Sequence, residues 1–151
     1  MEHISSSNII RRLSLQNGKE DDAATVATRS LQQVRSVVVF PSAIRLLPTL
    51  RSFRVLRVLD LQGCDLSQSY SLKYVEKLFH LRYLGLGDTR ISQLPEEIGN
   101  ILFLQTLDLM GTNVCSLPST VVQLRHLMCL YIESYTRLPN GIGSQTSLEE
   151  L

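Results

Sequence analysis

One short pattern recurs six times along the chain at nearly constant spacing. It places aliphatic residues at its first, fourth and sixth positions, L-x-x-L-x-L, with isoleucine or valine replacing some leucines. The six copies are Ile10-Leu13-Leu15, Val34-Val37-Val39, Leu56-Leu59-Leu61, Leu81-Leu84-Leu86, Leu104-Leu107-Leu109 and Leu127-Leu130-Ile132. They start 24, 22, 25, 23 and 23 residues apart. Six copies in phase predict a chain built from stacked repeats.

Both the period and the pattern are those of a leucine-rich repeat. Within each copy, alternation of period two turns residues such as Leu84 and Leu86 inward and Tyr83 outward, as in a short β-strand. A single strand of this length is unstable, so neighbouring repeats must pair in parallel and stack their leucines. We therefore predict an α/β solenoid, a leucine-rich-repeat arc with a short-strand parallel sheet on its concave face. Short helices, 3₁₀ turns and loops are expected on the convex side.

The repeats extend over the whole chain, so residues 1–151 are expected to form a single domain of about six repeats. The strands are predicted near 12–16, 36–40, 58–62, 83–87, 106–110 and 129–133. The ending LEEL begins a seventh, truncated repeat. Full helices are predicted at 21–34 and 69–79. A local kink or loop is expected before Leu138-Pro139, where the last complete unit is two residues short.

The segments that lead from one strand to the next carry two further signals. Pro95 and Pro118 suit the first turn of a short helix or 3₁₀ segment, with Ile98 and Val121 packed beneath. The ninth position of the central units is Cys64, Thr89 or Thr112. A hydroxyl at this position can bond backbone groups that the sheet no longer pairs. Cys64 is expected to act mainly as a small buried hydrophobic residue.

Composition indicates a cytoplasmic protein. The net charge of +1 gives no reason to expect nucleic acid or a membrane as a partner. No apolar run is long enough to span a bilayer, and the first residues lack the apolar segment of a signal peptide. Three cysteines without framework spacing suit a reducing compartment. There is no Asn-x-Ser/Thr glycosylation site.

No motif for catalysis or for cofactor binding is present. His126 and Cys129 lack the second Cys/His pair that a zinc site needs. No feature of the sequence around Cys115 favours a thiolate. The GLGDTR stretch has Arg90 where a dinucleotide loop has its third glycine, and no G-x-S-x-G elbow occurs. We predict a protein that is not an enzyme, with no metal, no cofactor and no small-molecule substrate.

One modest basic cluster occurs in the chain, comprising Arg45, Arg51, Arg54 and Arg57. A phosphate-bearing partner is conceivable for such a cluster. Apart from Phe53 it lacks interleaved aromatic residues, so a solvated face is the favoured interpretation.

Stretches of the chain resemble one known family. The segments RRLSLQNG, VRSVVVF, FRVLRVLDLQGCDL and LRYLGLGDTRISQLPEEIGNILFLQTLDLMGTNVCSLPSTVVQLRHLMCLY are similar to the leucine-rich-repeat region of plant nucleotide-binding disease-resistance proteins. The resemblance is to the coiled-coil class found in grasses. It implies the sensor and autoinhibitory region of an intracellular immune receptor, whose protein partner is a pathogen effector, a guarded host protein or the receptor's own nucleotide-binding module. No G-x-x-x-x-G-K-[ST] loop or coiled-coil segment is present, so a fragment or a short product with repeats alone is expected.

Two other interpretations stay open. The chain could be a generic intracellular leucine-rich-repeat scaffold, or a fragment of a receptor-kinase-type ligand-binding ectodomain. The missing signal peptide, glycosylation sites and paired cysteines count against the ectodomain.

If a protein partner binds the concave face, it contacts the outward side chains of the strands. Aromatic and methionine side chains supply most of the anchoring area at such surfaces, and carboxylates supply polar specificity. The predicted contact residues are Phe40, Asp60, Tyr83, Asp108, Met110, Tyr131 and Glu133.

Overall fold

The protein forms an open sheet of six short parallel strands in sequence order. The computed structural model describes residues 9–16, 31–67 and 72–144. The strands are β1 (Arg12–Leu15), β2 (Ser36–Val39), β3 (Val58–Asp60), β4 (Tyr83–Gly85), β5 (Thr106–Asp108) and β6 (Cys129–Tyr131). Each begins at the residue where the repeat pattern predicts a strand and ends one or two residues earlier. The predicted solenoid of parallel strands is confirmed.

The core is a continuous column of the inward-facing leucines. Leu59, Leu84, Leu107 and Leu130 stand opposite one another across β3 to β6, and all four are fully buried. Burial of a leucine side chain contributes about 2 kcal/mol of hydrophobic stabilisation. Leu13 in the first repeat is only partly buried. Each strand is three or four residues long, so the stacking between repeats, and not any single strand, holds the sheet together.

The segments between strands contain short 3₁₀ helices, as the solenoid requires. They are η1 (Pro41–Leu46), η2 (Leu50–Ser52), η3 (Val75–Lys77), η4 (Glu96–Asn100), η5 (Ser119–Gln123) and η6 (Ile142–Ser144). Pro95 and Pro118 stand directly before η4 and η5 with extended backbone, and not inside the first turn. Ile98 and Val121 are fully buried beneath them, as predicted.

The predicted helix at 69–79 is wrong over its described part, residues 72–79. Only the three residues of η3 are helical there, as a 3₁₀ turn. Tyr74, directly before η3, has a left-handed backbone with φ of 70°. An α-helix cannot pass through such a residue. The predicted helix at 21–34 lies outside the described residues over positions 21–30, and the truncated seventh repeat lies outside them over positions 145–151.

The ninth position of each central unit anchors the chain where it leaves the sheet. Thr89 Oγ1 donates a hydrogen bond to the Leu86 carbonyl at 2.5 Å, and Thr112 Oγ1 donates to the Leu109 carbonyl at 2.7 Å. Both threonines are buried. The prediction that their hydroxyls bond backbone groups is confirmed. Cys64 is fully buried, and its thiol faces a carbonyl of the preceding repeat.

The shortened last unit forms a loop, as predicted, and the loop is held to the previous repeat. The Tyr135 hydroxyl donates a hydrogen bond to the Thr112 carbonyl. Thr136 Oγ1 donates to the Val114 carbonyl at 2.9 Å. An isolated parallel bridge pairs Ser116 with Arg137. These bonds let a unit with fewer residues stay stacked.

Candidate functional site

The exposed face of the sheet presents its side chains in rows, one residue per repeat. Strand pairing aligns a first row of Arg12, Ser36, Val58, Tyr83, Thr106 and Cys129. It aligns a second row of Ser14, Val38, Asp60, Gly85, Asp108 and Tyr131. By the same repeat spacing, a third row beyond the strands holds Gln16, Phe40, Gln62, Gly87, Met110 and Glu133. We call these three rows the concave face.

Three of the predicted contact residues lie around Gly85 at the centre of this face: Asp60, Tyr83 and Asp108. Asp60, Gly85 and Asp108 are opposite one another in neighbouring strands. A Cβ atom at Gly85 would stand 2.9 Å from Tyr83 Cε1 and 2.9 Å from Asp60 Oδ1. Both side chains therefore lie against the bare Gly85 backbone, which is buried. Burial raises the pKa of Tyr83, and the nearby charges of Asp60 and Asp108 raise it further.

The carboxylates of the concave face also hold the backbone. Asp60 Oδ1 accepts a hydrogen bond from the Gln62 N–H at 3.1 Å, and Asp108 Oδ1 accepts one from the Met110 N–H at 3.0 Å. Glu133 Oε1 reaches across to the preceding repeat and accepts from the Gly111 N–H at 2.7 Å. A carboxylate has about four acceptor positions. One backbone bond each therefore leaves these groups able to accept donors from a partner.

The predicted apolar anchors fall into two groups. Met110 is 44% exposed and lies two residues along the chain from Asp108. Tyr131 is half-buried and stands opposite Asp108 in β6. Phe40, 45% exposed, belongs to the second repeat. Three repeats, or about 14 Å at the usual strand spacing, separate it from Met110. The other six predicted residues are spread over the repeats of β3 to β6, and Phe40 lies one repeat further, just after β2.

A row of arginines along the sheet was not predicted from the sequence. The second position of the repeat pattern is arginine in four consecutive units, which read IRRL, VRSV, LRVL and LRYL. These residues are Arg11, Arg35, Arg57 and Arg82, and all four are exposed. The basic cluster predicted from chain proximity contains only one of them, Arg57. The signal was present in the sequence, but it appears across repeats and not along the chain.

Large apolar side chains are exposed beside this row. Phe79, Leu102 and Phe103 have 56%, 53% and 51% of their surface exposed. They lie in the turns that lead into β4 and β5. The sequence pattern did not predict their exposure, because the repeat does not constrain the residue type directly before its first leucine.

His126 and Cys129, the His/Cys pair of the sequence, do not form part of a metal site among the described residues. The His126 ring packs against the Phe103 ring with their centroids 5.5 Å apart. Cys129 is half-buried in β6. Among the described residues, no three His, Cys, Asp or Glu side chains come together as metal ligands would. Over the same residues, no helix has the length and apolar character needed to cross a membrane.

Residues 33–151 match the family described as leucine-rich repeat region, and the chain belongs to that family. Three curated rice proteins are similar to it. Disease resistance protein RGA5 is 36% identical over 148 residues, covering 96% of this chain and 13% of RGA5. Pik-2 is 30% identical over 124 residues, covering 82% of this chain and 12% of Pik-2. RGA4 is 32% identical over 142 residues, covering 93% and 14%. The chain thus spans roughly an eighth of each relative.

Two solved structures share the fold. One is a leucine-rich-repeat protein of Leptospira interrogans, with a TM-score of 0.53, 21% identity, and coverage of 81% of this chain and 43% of that one. The other is an internalin of Listeria monocytogenes, with a TM-score of 0.60, 15% identity, and coverage of 80% and 35%. The resemblance to the repeats of plant disease-resistance proteins is therefore confirmed at the level of sequence, and the solenoid at the level of fold.

Proposed function

We propose that this chain is a non-catalytic protein-recognition region of an intracellular plant immune receptor, acting in the cytoplasm in defence against pathogens. The similarity to three rice disease resistance proteins over most of the chain supports the assignment to immunity. The repeat fold supports recognition, because its outward residues can vary without disturbing the stacked leucines.

The concave face carries the proposal. Tyr83, Met110 and Tyr131 supply aromatic and thioether surface in the adjacent repeats of β4 to β6. The Asp108 carboxylate lies among them in β5, and Asp60 borders them in β3. Fixed aromatic anchors beside hydrogen-bond acceptors are the composition of a binding hot spot. The bound group is a protein: a pathogen effector, a host protein that the receptor monitors, or the receptor's own nucleotide-binding module. Phe40 extends this face at the far end, and Glu133 borders it near Met110.

The test is a triple variant, Tyr83→Ala/Met110→Ala/Tyr131→Ala. Its association with a panel of candidate effectors, and with the receptor's nucleotide-binding module, is measured by pull-down and then by titration. We expect the bound partner to be held at least about tenfold more weakly, since hot-spot truncations cost about 1–2 kcal/mol or more each. The control is Glu97→Ala/Ser119→Ala/Leu138→Ala, which alters exposed positions away from the sheet face. Unchanged affinity in a folded triple variant would contradict the concave-face proposal.

A further inference from the structure

The arginine row lies along the edge of the sheet where the strands begin. The Arg35 N–H donates to the Arg11 carbonyl at 2.8 Å, the Arg57 N–H to the Arg35 carbonyl at 2.7 Å, and the Arg82 N–H to the Arg57 carbonyl at 2.8 Å. Each of these carbonyls accepts a second N–H from the residue that follows in the next repeat. The four backbones are therefore linked directly and stand about 4.8 Å apart, the spacing of neighbouring strands.

The row concentrates positive charge without internal compensation. Within the described ranges, no ion pair joins any of these four arginines to another residue. Four guanidinium groups on backbones one strand spacing apart repel one another, because exposed charges within about 8 Å interact at physiological salt. Arginine binds carboxylates in a two-pronged geometry that lysine cannot match. An acidic partner would relieve the repulsion and gain these bonds.

The same edge continues as an apolar surface in the later repeats. Three similar turns lead into β4, β5 and β6, closed by N–H to carbonyl bonds from Leu81 to Leu78, Leu104 to Ile101 and Leu127 to Leu124. Their central residues are Phe79-His80, Leu102-Phe103 and Arg125-His126. Phe79, Leu102 and Phe103 are the exposed apolar residues of these turns. The turns come directly before the second pattern position, where the row holds Arg82 and continues as Gln105 and Met128.

We propose that this edge is a second docking surface, and that its occupant is an acidic amphipathic helix of a partner protein. The carboxylates of the helix pair with Arg11, Arg35, Arg57 and Arg82, and its apolar residues pack on Phe79, Leu102 and Phe103. This surface is separate from the concave face of the proposed function, and its occupancy does not depend on that proposal.

The spacing of the arginines favours a helix over an extended segment. Three strand intervals from Arg11 to Arg82 span about 14 Å. Carboxylates one turn apart on a helix repeat every 5.4 Å or so and span about 16 Å over three turns. Same-side residues of an extended chain repeat about every 6.6 Å and span about 20 Å. Flexible arginine side chains absorb the smaller difference more readily than the larger one.

The probe for the experiment is a synthetic helical peptide. It has glutamate at positions i, i+4, i+7 and i+11, and its leucines lie one helical turn beyond the last glutamate. Binding to the 151-residue chain is followed by fluorescence anisotropy. We expect binding that weakens as salt is raised, because the contacts are between exposed charges. A peptide with lysine in place of each glutamate should not bind. Equal binding of the two peptides would overturn the proposal.

Matched protein variants locate the surface. Arg35→Glu/Arg57→Glu should lower the affinity for the acidic peptide at least about tenfold. The control Arg45→Glu/Arg90→Glu makes the same change of net charge at exposed positions outside the row. It should lower the affinity less than about threefold. Phe103→Ser should lower the affinity for the acidic peptide more than the control Leu138→Ser does. Equal effects within either pair would overturn the docking surface. Circular dichroism and the melting temperature check that every variant is folded.

Two further arms separate this proposal from its competitors. The variant Tyr83→Ala/Met110→Ala/Tyr131→Ala should bind the acidic peptide as the parent chain does, so that failure of the concave-face proposal and failure of this one are distinguishable. Single-stranded polyuridylic acid is the nucleic-acid probe. If it binds through Arg35 and Arg57 while the acidic peptide does not bind, the edge is a phosphate-binding surface and the acidic-helix proposal is wrong.

Discussion

The carboxylate of Asp88 lies where the Cβ atom of any side chain at position 111 would stand. Asp88 and Gly111 occupy the same pattern position in adjacent repeats, and both have left-handed backbones, with φ of 54° and 73°. Gly63, one repeat earlier, has φ of 77°. The repeat therefore needs a left-handed residue where the chain turns away from the strand. Glycine adopts that conformation freely, and aspartate tolerates it better than most residues.

Gly111→Ala is expected to destabilise the protein by about 2 kcal/mol or more. The alanine must adopt a left-handed backbone, which costs about 1 kcal/mol, and its methyl group must displace the Asp88 carboxylate. Asp88→Gly removes that carboxylate, so the double variant Asp88→Gly/Gly111→Ala should be free of the clash and keep only the backbone penalty. Chemical denaturation of the two single variants and the double variant measures this coupling. Strictly additive effects would mean that the carboxylate does not set the requirement for glycine.

Gly99→Ala is expected to destabilise the stack of 3₁₀ helices. A Cβ atom at Gly99 in η4 would stand 2.5 Å from the Thr120 carbonyl oxygen and 2.6 Å from Thr120 Cβ, both in η5. Backbone and Cβ atoms cannot move aside without separating the two repeats, so we expect a loss of about 2–3 kcal/mol. The control is Gly143→Ala in η6, where a Cβ atom would meet nothing within 4 Å. Equal melting temperatures for the two variants would contradict the close approach of η4 and η5.

The repeat pattern predicts most of the fold because each copy supports the others. Leu84 alone is compatible with a strand or a helix, but its equivalents in five other units, all in phase, are compatible only with stacked parallel strands. The helix expected at 69–79 had no such support. Its apolar spacing suits an α-helix, and the left-handed backbone of Tyr74 has no reliable signature in a residue type that rarely adopts it.

The concave-face residues could be placed on one side of the sheet from sequence, but their mutual contacts could not. That Tyr83 lies against Gly85 between two carboxylates depends on the register of three strands. The hydrogen bond from the Gly111 N–H to the Glu133 carboxylate joins two repeats, so local sequence likewise does not predict it. The arginine row was within reach, since Arg57 and Arg82 occupy one pattern position, but it requires a search for charge across repeats.

Thr112→Val should cost about 1–2 kcal/mol, although it is nearly isosteric. The buried hydroxyl donates to the Leu109 carbonyl, and valine replaces that donor with a methyl group. Thr112→Ser keeps the hydroxyl and should restore most of the hydrogen-bond contribution, with a smaller loss from the missing methyl group. Thermal unfolding of the three proteins provides the comparison. A valine variant more stable than the serine variant would show that packing, and not the hydrogen bond, determines the residue at this position.

The pKa values of Tyr83 and Tyr74 should be shifted in opposite directions from the ordinary tyrosine value of about 10. Burial, then the charges of Asp60 and Asp108, raise the pKa of Tyr83. The side chain of Lys73, followed by that of Arg51, lowers the pKa of Tyr74, and the two cations lie 5.1 Å and 4.9 Å from the centre of its ring. Spectroscopic titration of Tyr83→Phe and Tyr74→Phe, each subtracted from the parent chain, isolates the two phenols.

The raised pKa of Tyr83 also predicts how stability depends on pH. Its folded-state pKa is above the unfolded value, so the neutral phenol is favoured by folding. The stability that it contributes is complete below a pH of about 10 and is lost as the pH rises through the folded-state pKa. Asp60→Asn removes one of the charges that disfavour the phenolate, so it should lower the pKa of Tyr83 and reduce this alkaline loss. If Asp60→Asn leaves the Tyr83 titration unchanged, the charge of Asp60 does not act on the phenol, and the close grouping at the centre of the concave face is wrong.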